Sequence, residues 1–309
     1  MKIITITLNP AFDIHCQIDA FMPYHENLAR VTERDAGGKG VNISRALTEN
    51  GVENTALLVL GAENAEQFSR CLAADRISFY DIVIPGRIRE NITIHTEGAD
   101  ETRISFPGFS TDEELLHKVE NALGELLEEG SFVTFTGRVT DGIGMDAVKS
   151  FLARLKLRGV KLIIDSRSFE KQDLLEVKPW LIKPNQEEIS HYFEREIRSF
   201  EEAMDAAKEM QKMEIANVMI SLGAQGALLV CDQGVFVATA PKIQAISTIG
   251  AGDSSIAGFL AAAVVNKPSE EMLKNAVAYG SAACMQKGTR SPEPEDIAAL
   301  LEKISVKKA

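Results

Sequence analysis

Residues 131–165, SFVTFTGRVTDGIGMDAVKSFLARLKLRGVKLIID, hold the pattern that decides the fold. Phe132 to Thr136 is a short β-rich run, Gly144 to Arg158 is patterned as a helix, and Val160 to Asp165 is a second strand ending in an acid. Strands that alternate with helices lie parallel in one sheet, with ligands at the carboxyl ends of the strands.

The alternation extends in both directions. Ile3 to Leu8 is a strand closed by the Asn9-Pro10 turn. Gly38 to Asn50 is a helix with Val41, Ala46 and Leu47 inward and Gly51 as its stop. Thr55 to Leu60 is continuously apolar, as a buried parallel strand should be. Downstream, Thr111 to Glu128 reads as a helix with Thr111 as N-cap and Glu114 completing a capping box. Trp180 to Ile182 is a short strand followed by a helix from Gln186. Phe200 to Met213 is a helix and Asn217 to Ser221 a strand. Ala227 to Cys231 and Val235 to Ala238 form a hairpin around Asp232-Gln233-Gly234. Three helices close the chain, at Gly252 to Val265, Ser269 to Lys287 and Glu293 to Lys303.

Two stretches break the pattern. Ile14 to Asp19, Asn27 to Glu33, Ile82 to Ile84, Asn91 to Glu97 and Arg103 to Phe106 are short and alternating, the mark of strands with one wet face. Excursions at about 12–35 and 86–107 are therefore expected to pair into a small second sheet that covers the site as a lid. With no low-complexity linker and no internal repeat, residues 1–309 read as one α/β domain.

Composition narrows the function classes. The chain has 309 residues, 33 Lys plus Arg against 45 Asp plus Glu, and a net charge of -12. Nucleic acid and anionic membrane both demand positive surface, so neither is an expected partner. Cys16, Cys71, Cys231 and Cys284 form no C-x-x-C motif and read as reduced core residues. The start, MKIITITLNPAFD, lacks the apolar region of a signal peptide. The most apolar window, Gly258 to Val265, is too short for a bilayer, so a cytoplasmic protein is expected. The five histidines show no zinc-binding spacing.

Five segments carry chemistry. In Ala36-Gly37-Gly38-Lys39-Gly40-Val41-Asn42, glycines before a helix let the backbone approach a ligand, and the helix start attracts anions. It is no Walker A loop, because Gly40 follows the lysine, and on local pattern it is equally an ordinary glycine-rich loop. In Ser247-Thr248-Ile249-Gly250-Ala251-Gly252-Asp253-Ser254, the backbone N–H groups of Gly250, Ala251 and Gly252 form an anion nest. Asp253, in the first turn of the following helix, is either a plain capping acid or a base that takes a hydroxyl proton while the nest holds a transferring phosphoryl.

In Lys183-Pro184-Asn185-Gln186-Glu187-Glu188, the three-residue spacing puts Asn185 and Glu188 on one helical face. Their oxygens suit a hydrated Mg²⁺, and a capping box explains the same spacing. Ser221-Leu222-Gly223-Ala224-Gln225-Gly226 is a strand end with a two-glycine turn, suited to a nucleotide or to a hairpin. Period 2 in Arg87-Ile88-Arg89-Glu90-Asn91 places Arg87, Arg89 and Asn91 on one face, where two arginines can fork onto a phosphate. The bland reading is a charged sheet edge that guards against aggregation.

Together, in this order, these segments resemble the ribokinase-like PfkB family of sugar kinases. Gly37-Gly38-Lys39-Gly40-Val41-Asn42 and Gly250-Ala251-Gly252-Asp253 look like that family's two signatures, and the match extends over essentially the whole chain. Thr7-Leu8-Asn9-Pro10-Ala11-Phe12-Asp13 and Ser247-Thr248-Ile249-Gly250 look like the branch of 1-phosphofructokinase and tagatose-6-phosphate kinase; ribokinase and adenosine kinase usually carry Asp where Ser247 stands. The resemblance implies an ATP-dependent kinase that phosphorylates fructose 1-phosphate or tagatose 6-phosphate to a 1,6-bisphosphate, with ATP and Mg²⁺. It implies Asp253 as base, with Gly250, Ala251 and Gly252 as the anion hole. Asp13, Gly38, Lys39 and Asn42 would hold the sugar, with Lys39, Arg87 and Arg89 near its phosphate. Asn185 and Glu188 match the family's magnesium motif. Lys183, Ser221, Gly223 and Gly226 match the nucleotide side, and Asn275 and Gly280-Ser281 fall at the adenine pocket's helix.

One departure concerns the acceptor. The branch usually has Gly-Ser-Leu-Pro after the strand that ends at Thr136; this chain has Gly137-Arg138-Val139-Thr140, which brings a large cation to the expected sugar site. A kinase of another sugar or a nucleoside, and a non-catalytic sensor of nucleotide or sugar phosphate, are the alternatives. The arginine pair speaks against the first and Asp253 with intact glycines against the second. Exposed lid edges would be buried by packing two lids together, so a homodimer is expected. Anionic substrates fit the net charge if Lys39, Arg87, Arg89, Arg138 and Lys183 gather at one mouth.

Overall fold

The computed structural model describes residues 1–96 and 101–309. The elements follow in chain order. First come β1 (Ile3–Thr7), β2 (Ala11–Ile18), β3 (Arg30–Gly37), α1 (Lys39–Glu49), β4 (Thr55–Gly61), α2 (Ala65–Ala74), β5 (Phe79–Ile84), β6 (Arg89–Thr96) and β7 (Thr102–Ser105). The middle holds α3 (Glu114–Leu126), β8 (Phe132–Thr136), α4 (Met145–Leu157), β9 (Lys161–Asp165), α5 (Lys171–Val177), β10 (Leu181–Ile182), α6 (Gln186–Tyr192), α7 (Phe200–Lys212) and β11 (Asn217–Ser221). The last part holds β12 (Ala227–Cys231), β13 (Gly234–Ala238), α8 (Ala251–Val264), α9 (Ser269–Cys284), α10 (Pro294–Leu301) and β14 (Val306–Lys308).

Ten strands form the main sheet in the order β14-β13-β12-β11-β10-β9-β8-β1-β4-β5. From β11 to β5 every pair is parallel; the β11-β12-β13-β14 end is antiparallel. Period 2 splits each central strand between two cores. Leu162 and Ile164 pack with Phe68, Phe151 and Met210 on one face, while Ile163 packs with Leu47, Phe259 and Leu273 on the other. Helices α2 to α7 thus cover one face, and α1 with α8 to α10 the other, a three-layer arrangement around the mostly parallel sheet expected from the sequence.

β2, β3, β6 and β7 form a four-stranded sheet in the order β3-β2-β6-β7. Its register pairs Asp13 with Asp35 and with Asn91, putting all three on one face. Phe12 points the other way and meets Phe68 edge-on at 5.1 Å between centroids. The expected strand Asn91 to Glu97 is seen to Thr96; Glu97 lies outside the described residues.

Three local expectations need correction. The helix expected at Thr111 starts at Glu114 with Glu113 as N-cap and no side-chain cap; Asp112 Oδ1 instead accepts from the Glu114 N–H at 3.0 Å. Thr111 is held outside the helix because its own N–H bonds the Asp141 carbonyl at 3.0 Å. Ile82 to Ile84, read as a short alternating strand, is the end of β5, a longer edge strand of the main sheet that starts at Phe79. The chain also ends in β14, which follows the last helix and pairs with β13. Among the described residues no helix is long and apolar enough to cross a membrane.

Candidate active site

Adjacent parallel strands deliver the site. β1 ends at Thr7, β8 at Thr136 and β9 at Asp165, and Lys183 follows β10, all at one edge of the sheet. Open α/β sheets bind ligands at that edge. Two glycine-led helix starts add to it. α1 follows Gly38 at φ 125° and α8 follows Gly250 at φ 78°, both in the region that glycine alone occupies without strain. Neither helix has a side-chain cap, which leaves its first N–H groups to serve a ligand.

Asp253 sits in the first turn of α8 and is 7% exposed. Its Oδ2 accepts from Asn42 Nδ2 of α1 at 2.8 Å, so one hydrogen bond joins the two helix starts. Burial pushes the Asp253 carboxyl up to about 6, with Asp165 adding to the rise and Lys39, the Asn42 hydrogen bond and Lys183 opposing it. Such a group is mostly ionised at pH 7 yet basic enough to take a proton.

Lys39 Nζ lies 3.0 Å from Asp165 Oδ2. Burial alone would raise Asp165, but Lys183 and Lys39 outweigh it and hold the carboxyl below its ordinary range. Burial alone would lower Lys39; Asp165, Asp253 and Glu188 outweigh it, and the ammonium is held above its ordinary value. Lys183 is 5% exposed, and a Cβ on Gly252 would come within 3.1 Å of its Nζ. A buried ammonium therefore rests against the backbone of Gly252.

Asn185 and Glu188 form a reciprocal capping box at the start of α6. Asn185 Oδ1 accepts from the Glu188 N–H at 2.8 Å, and Glu188 Oε2 from the Asn185 N–H at 3.0 Å. The backbones of Asn185 and Ser221 form a parallel bridge, which brings Lys183, Asn185 and Ser221 into one neighbourhood. After Ser221 the chain turns through Gly223 and Gly226; a Cβ at Gly226 would lie 2.0 Å from the Ala238 carbonyl oxygen, so only glycine lets the turn close there. Asn275 and Ser281 lie on α9, partly exposed. The Asn275 amide donates to the Glu271 carbonyl of its own helix at 2.8 Å.

The small sheet supplies a second cluster. Asp13 is buried, and its Oδ1 accepts from Asn91 Nδ2 at 2.8 Å and from Arg103 Nη2 at 3.3 Å. Gly37 makes room for it: a Cβ there would lie 2.1 Å from Asp13 Oδ2. Arg89 Nη1 donates to Asn91 Oδ1 at 2.9 Å, and its buried Nε has no protein partner. Burial lowers the Arg89 pKa, Asp13 opposes this, and the nearby charges of Arg103 and Arg138 add to the fall. Arg138 itself is exposed and paired with Asp141 at 3.0 Å.

Arg87 departs from expectation. β6 begins only at Arg89; before it come the Pro85-Gly86 turn and a bridge between Arg87 and Ala62, so period 2 does not run from Arg87 to Arg89. Arg87 lies 3.6 Å from Glu90, which also binds Arg34 at 3.0 Å, and Glu90 points to the opposite face from Arg89. Arg103 takes the place expected of Arg87 beside Arg89. Arg103 and Asp165 escaped the reading of the sequence as site residues. The signal available was Asp165 closing a central strand, a position where ligands bind.

Comparisons with known proteins agree with this geometry. The chain matches the pfkB family of carbohydrate kinases over residues 7–296. A 1-phosphofructokinase of Vibrio cholerae is 31% identical over 307 residues, covering 99% of this chain and 96% of the relative. A 1-phosphofructokinase of Bacillus subtilis is 30% identical over 281 residues, covering 91% of each. The crystal structure of phosphofructokinase-2 from Escherichia coli in complex with fructose-6-phosphate superposes with a TM-score of 0.91 at 26% identity, covering 98% of both chains. The chain belongs to the pfkB family of carbohydrate kinases.

Proposed function

We propose that this protein is an ATP-dependent kinase that transfers the γ-phosphoryl group to the free primary hydroxyl of a ketohexose monophosphate, fructose 1-phosphate or tagatose 6-phosphate, giving a 1,6-bisphosphate. The observation that carries the reading is Asp253: a buried carboxylate in the first turn of α8, just after an uncapped glycine nest and near two ammonium groups. The acceptor hydroxyl gives its proton to Asp253 as its oxygen bonds the γ-phosphorus. The bond from that phosphorus to the bridging oxygen breaks, and ADP leaves with the electron pair. The Gly250–Gly252 N–H groups and Lys183 meet the charge that develops on the transferring group.

A monophosphate acceptor is favoured by the arginines. Arg89 and Arg103 stand at Asp13, and the buried Arg89 Nε is a donor that a phosphate oxygen would satisfy. A nucleoside or neutral sugar would leave that charge unmatched. The relatives named 1-phosphofructokinase span nearly the whole chain and put fructose 1-phosphate first. Asp13, Gly38, Lys39 and Asn42 hold the sugar in this reading; Lys183, Ser221, Gly223, Gly226, Asn275 and Ser281 line the nucleotide side.

Asn185 and Glu188 fit Mg²⁺ in the way this ion usually binds, through one carboxylate, water and substrate phosphates. Glu188 Oε1 makes only a 3.4 Å contact with Arg167, so this oxygen is available, and the ion would neutralise charge on the nucleotide phosphates. Among the described residues no group of three acidic, His or Cys side chains could cage a metal. β2, β3, β6 and β7 act as the lid of one domain. Val31 and Ile104 on these strands, and Phe106 just after β7, leave apolar surface exposed, which two copies would cover in a homodimer. A cytoplasmic location suits four free cysteines and this chemistry.

The test is an acceptor panel. With Mg-ATP, the protein is offered fructose 1-phosphate, fructose 6-phosphate and tagatose 6-phosphate, and bisphosphate formation is followed. Turnover of fructose 1-phosphate or tagatose 6-phosphate supports the reading; no turnover on any of the three ends it.

A further inference from the structure

We propose that Arg45 is a positioning residue that fixes the polarity of the Asn42 amide and thereby keeps a hydrogen-bond donor on the Asp253 carboxylate. The inference rests on the reading of Asp253 as base.

Arg45 lies on α1 and is 9% exposed, an unusual place for a guanidinium. A charge at such a depth persists only when its donors are met. Each arm of the fork has a partner. Nε donates to Asp75 Oδ2 at 2.8 Å, Nη1 donates to Asn42 Oδ1 at 3.1 Å, and Nη2 donates to the Ala36 carbonyl. Asp75 caps the end of α2, and Ala36 belongs to β3 of the small sheet. The guanidinium is thus bolted to two other elements before it reaches Asn42.

The consequence follows from what each group can do. An Asn amide has one accepting end and one donating end. Guanidinium donates only, so the end of Asn42 facing Arg45 must be the oxygen. The nitrogen is then forced toward Asp253 Oδ2, where it is found at 2.8 Å. Reversing the amide would set N–H against N–H at Arg45 and oxygen against oxygen at Asp253. Arg45 therefore decides which end Asp253 meets without touching Asp253 itself. The donor occupies Oδ2 and favours the ionised form, leaving Oδ1 to receive the proton.

Other charges face the same groups. Lys39 of α1, Asp165 at the end of β9 and Lys183 after β10 act on Asp253 directly. Around Arg45, a cavity of about 240 Å³ is lined by Asp35, Glu49, Asp75, Thr289, Arg290, Ser291 and Glu293. Of the charged groups among these, none takes the place of Arg45 Nη1 at the Asn42 amide oxygen: the four carboxylates are acceptors, and Arg290 is turned to Glu33 at 2.5 Å.

The experiment compares wild type with Arg45→Lys, Arg45→Met and Asp75→Asn. Two readings are taken: the Asp253 carboxyl titration by ¹³C NMR on the free protein, and kcat/KM against pH. Lysine keeps the charge but not the fork. Expected is an upward move of the Asp253 titration by ~1 pH unit in both Arg45 variants, and of the acid limb of kcat/KM by the same amount, so that the rate falls up to ~10-fold on that limb. At pH 8.5 the loss shrinks, because the base is ionised there in every variant. Asp75→Asn retains the guanidinium and should shift both readings the same way by less; it carries the test if the Arg45 variants fail to fold. In an Asn42→Ala background Arg45→Met should move the titration no further, the mark of a shared path. Unchanged Asp253 titration in the folded variants, with activity lost equally at every pH, overturns the proposal. Failure of the wild type to phosphorylate any sugar phosphate would instead remove the kinase reading, and the NMR titration would still decide the role of Arg45.

Discussion

The two glycine-led helix starts carry opposite electrostatic problems. α1 begins with Gly38 and puts the cation of Lys39 into a first turn that is already positive. α8 begins with Gly250 and puts Asp253 where the helix dipole favours an acid, but buries it. Each misfit is offset by groups from elsewhere in the chain. Lys39 is held by Asp165, and Asp253 by the Asn42 amide of α1. The comparison teaches that neither loop stands alone: the charge that the dipole opposes in one and the charge that burial opposes in the other are each offset by groups from elsewhere in the chain.

The largest effect should come from the acid. Asp253→Asn should lower kcat by at least ~10², the lower range for removing a general base, in a steady-state assay at pH 7.5. Near-normal turnover would reduce α8 to a helix with an ordinary capping acid. The cation of the other helix start is tested by stability. Lys39→Met leaves the buried Asp165 with Lys183 and Arg167 to compensate it and should cost about 3 kcal/mol in urea unfolding, the lower range for breaking a buried pair. A loss below about 1 kcal/mol would mean that this pair behaves as an exposed one.

The same acid should weaken the fold as it ionises. Its folded pKa of about 6 lies above the unfolded value of 3.8, so its contribution is fully favourable only below about pH 4 and declines as pH rises toward and past 6. Asp253→Asn should therefore be more stable than wild type at pH 7.5, by about 3 kcal/mol at most, with the difference vanishing near pH 4. A variant less stable than wild type at pH 7.5 would contradict the burial argument.

The smallest contrasts lie on the acceptor side. Arg89→Met should raise KM for the sugar phosphate by ~10-fold or more, the worth of one charge-assisted hydrogen bond, and leave KM for ATP unchanged. Arg87→Met, which loses only an exposed pair with Glu90, should change KM by less than about twofold. Equal effects of the two would restore the arginine pair read from the sequence.

That pair shows where legibility ends. The βαβ frame was readable because a parallel strand buried on both faces is a continuous apolar run, as at Thr55 to Leu60, and because β-rich runs such as Phe132 to Thr136 alternate with helical patterns. The two helix starts were readable because glycine there answers a backbone demand: φ 125° at Gly38 and 78° at Gly250. Arg103 and Asn91 were not readable as partners of Asp13, because β2 and β6 meet only through tertiary pairing of distant segments. Arg87 misled because alternation holds only inside a strand, and its strand starts two residues later. Thr111 had the residues of a cap but not the position, since its backbone was already bonded to Asp141.

The most direct measurement follows phosphoryl transfer from Mg-ATP to fructose 1-phosphate and tagatose 6-phosphate, wild type beside Asp253→Asn. The account predicts conversion of at least one of them to its 1,6-bisphosphate by the wild type and a rate at least ~10²-fold lower in the variant. Turnover that survives the substitution, or a wild type that phosphorylates neither, would contradict it.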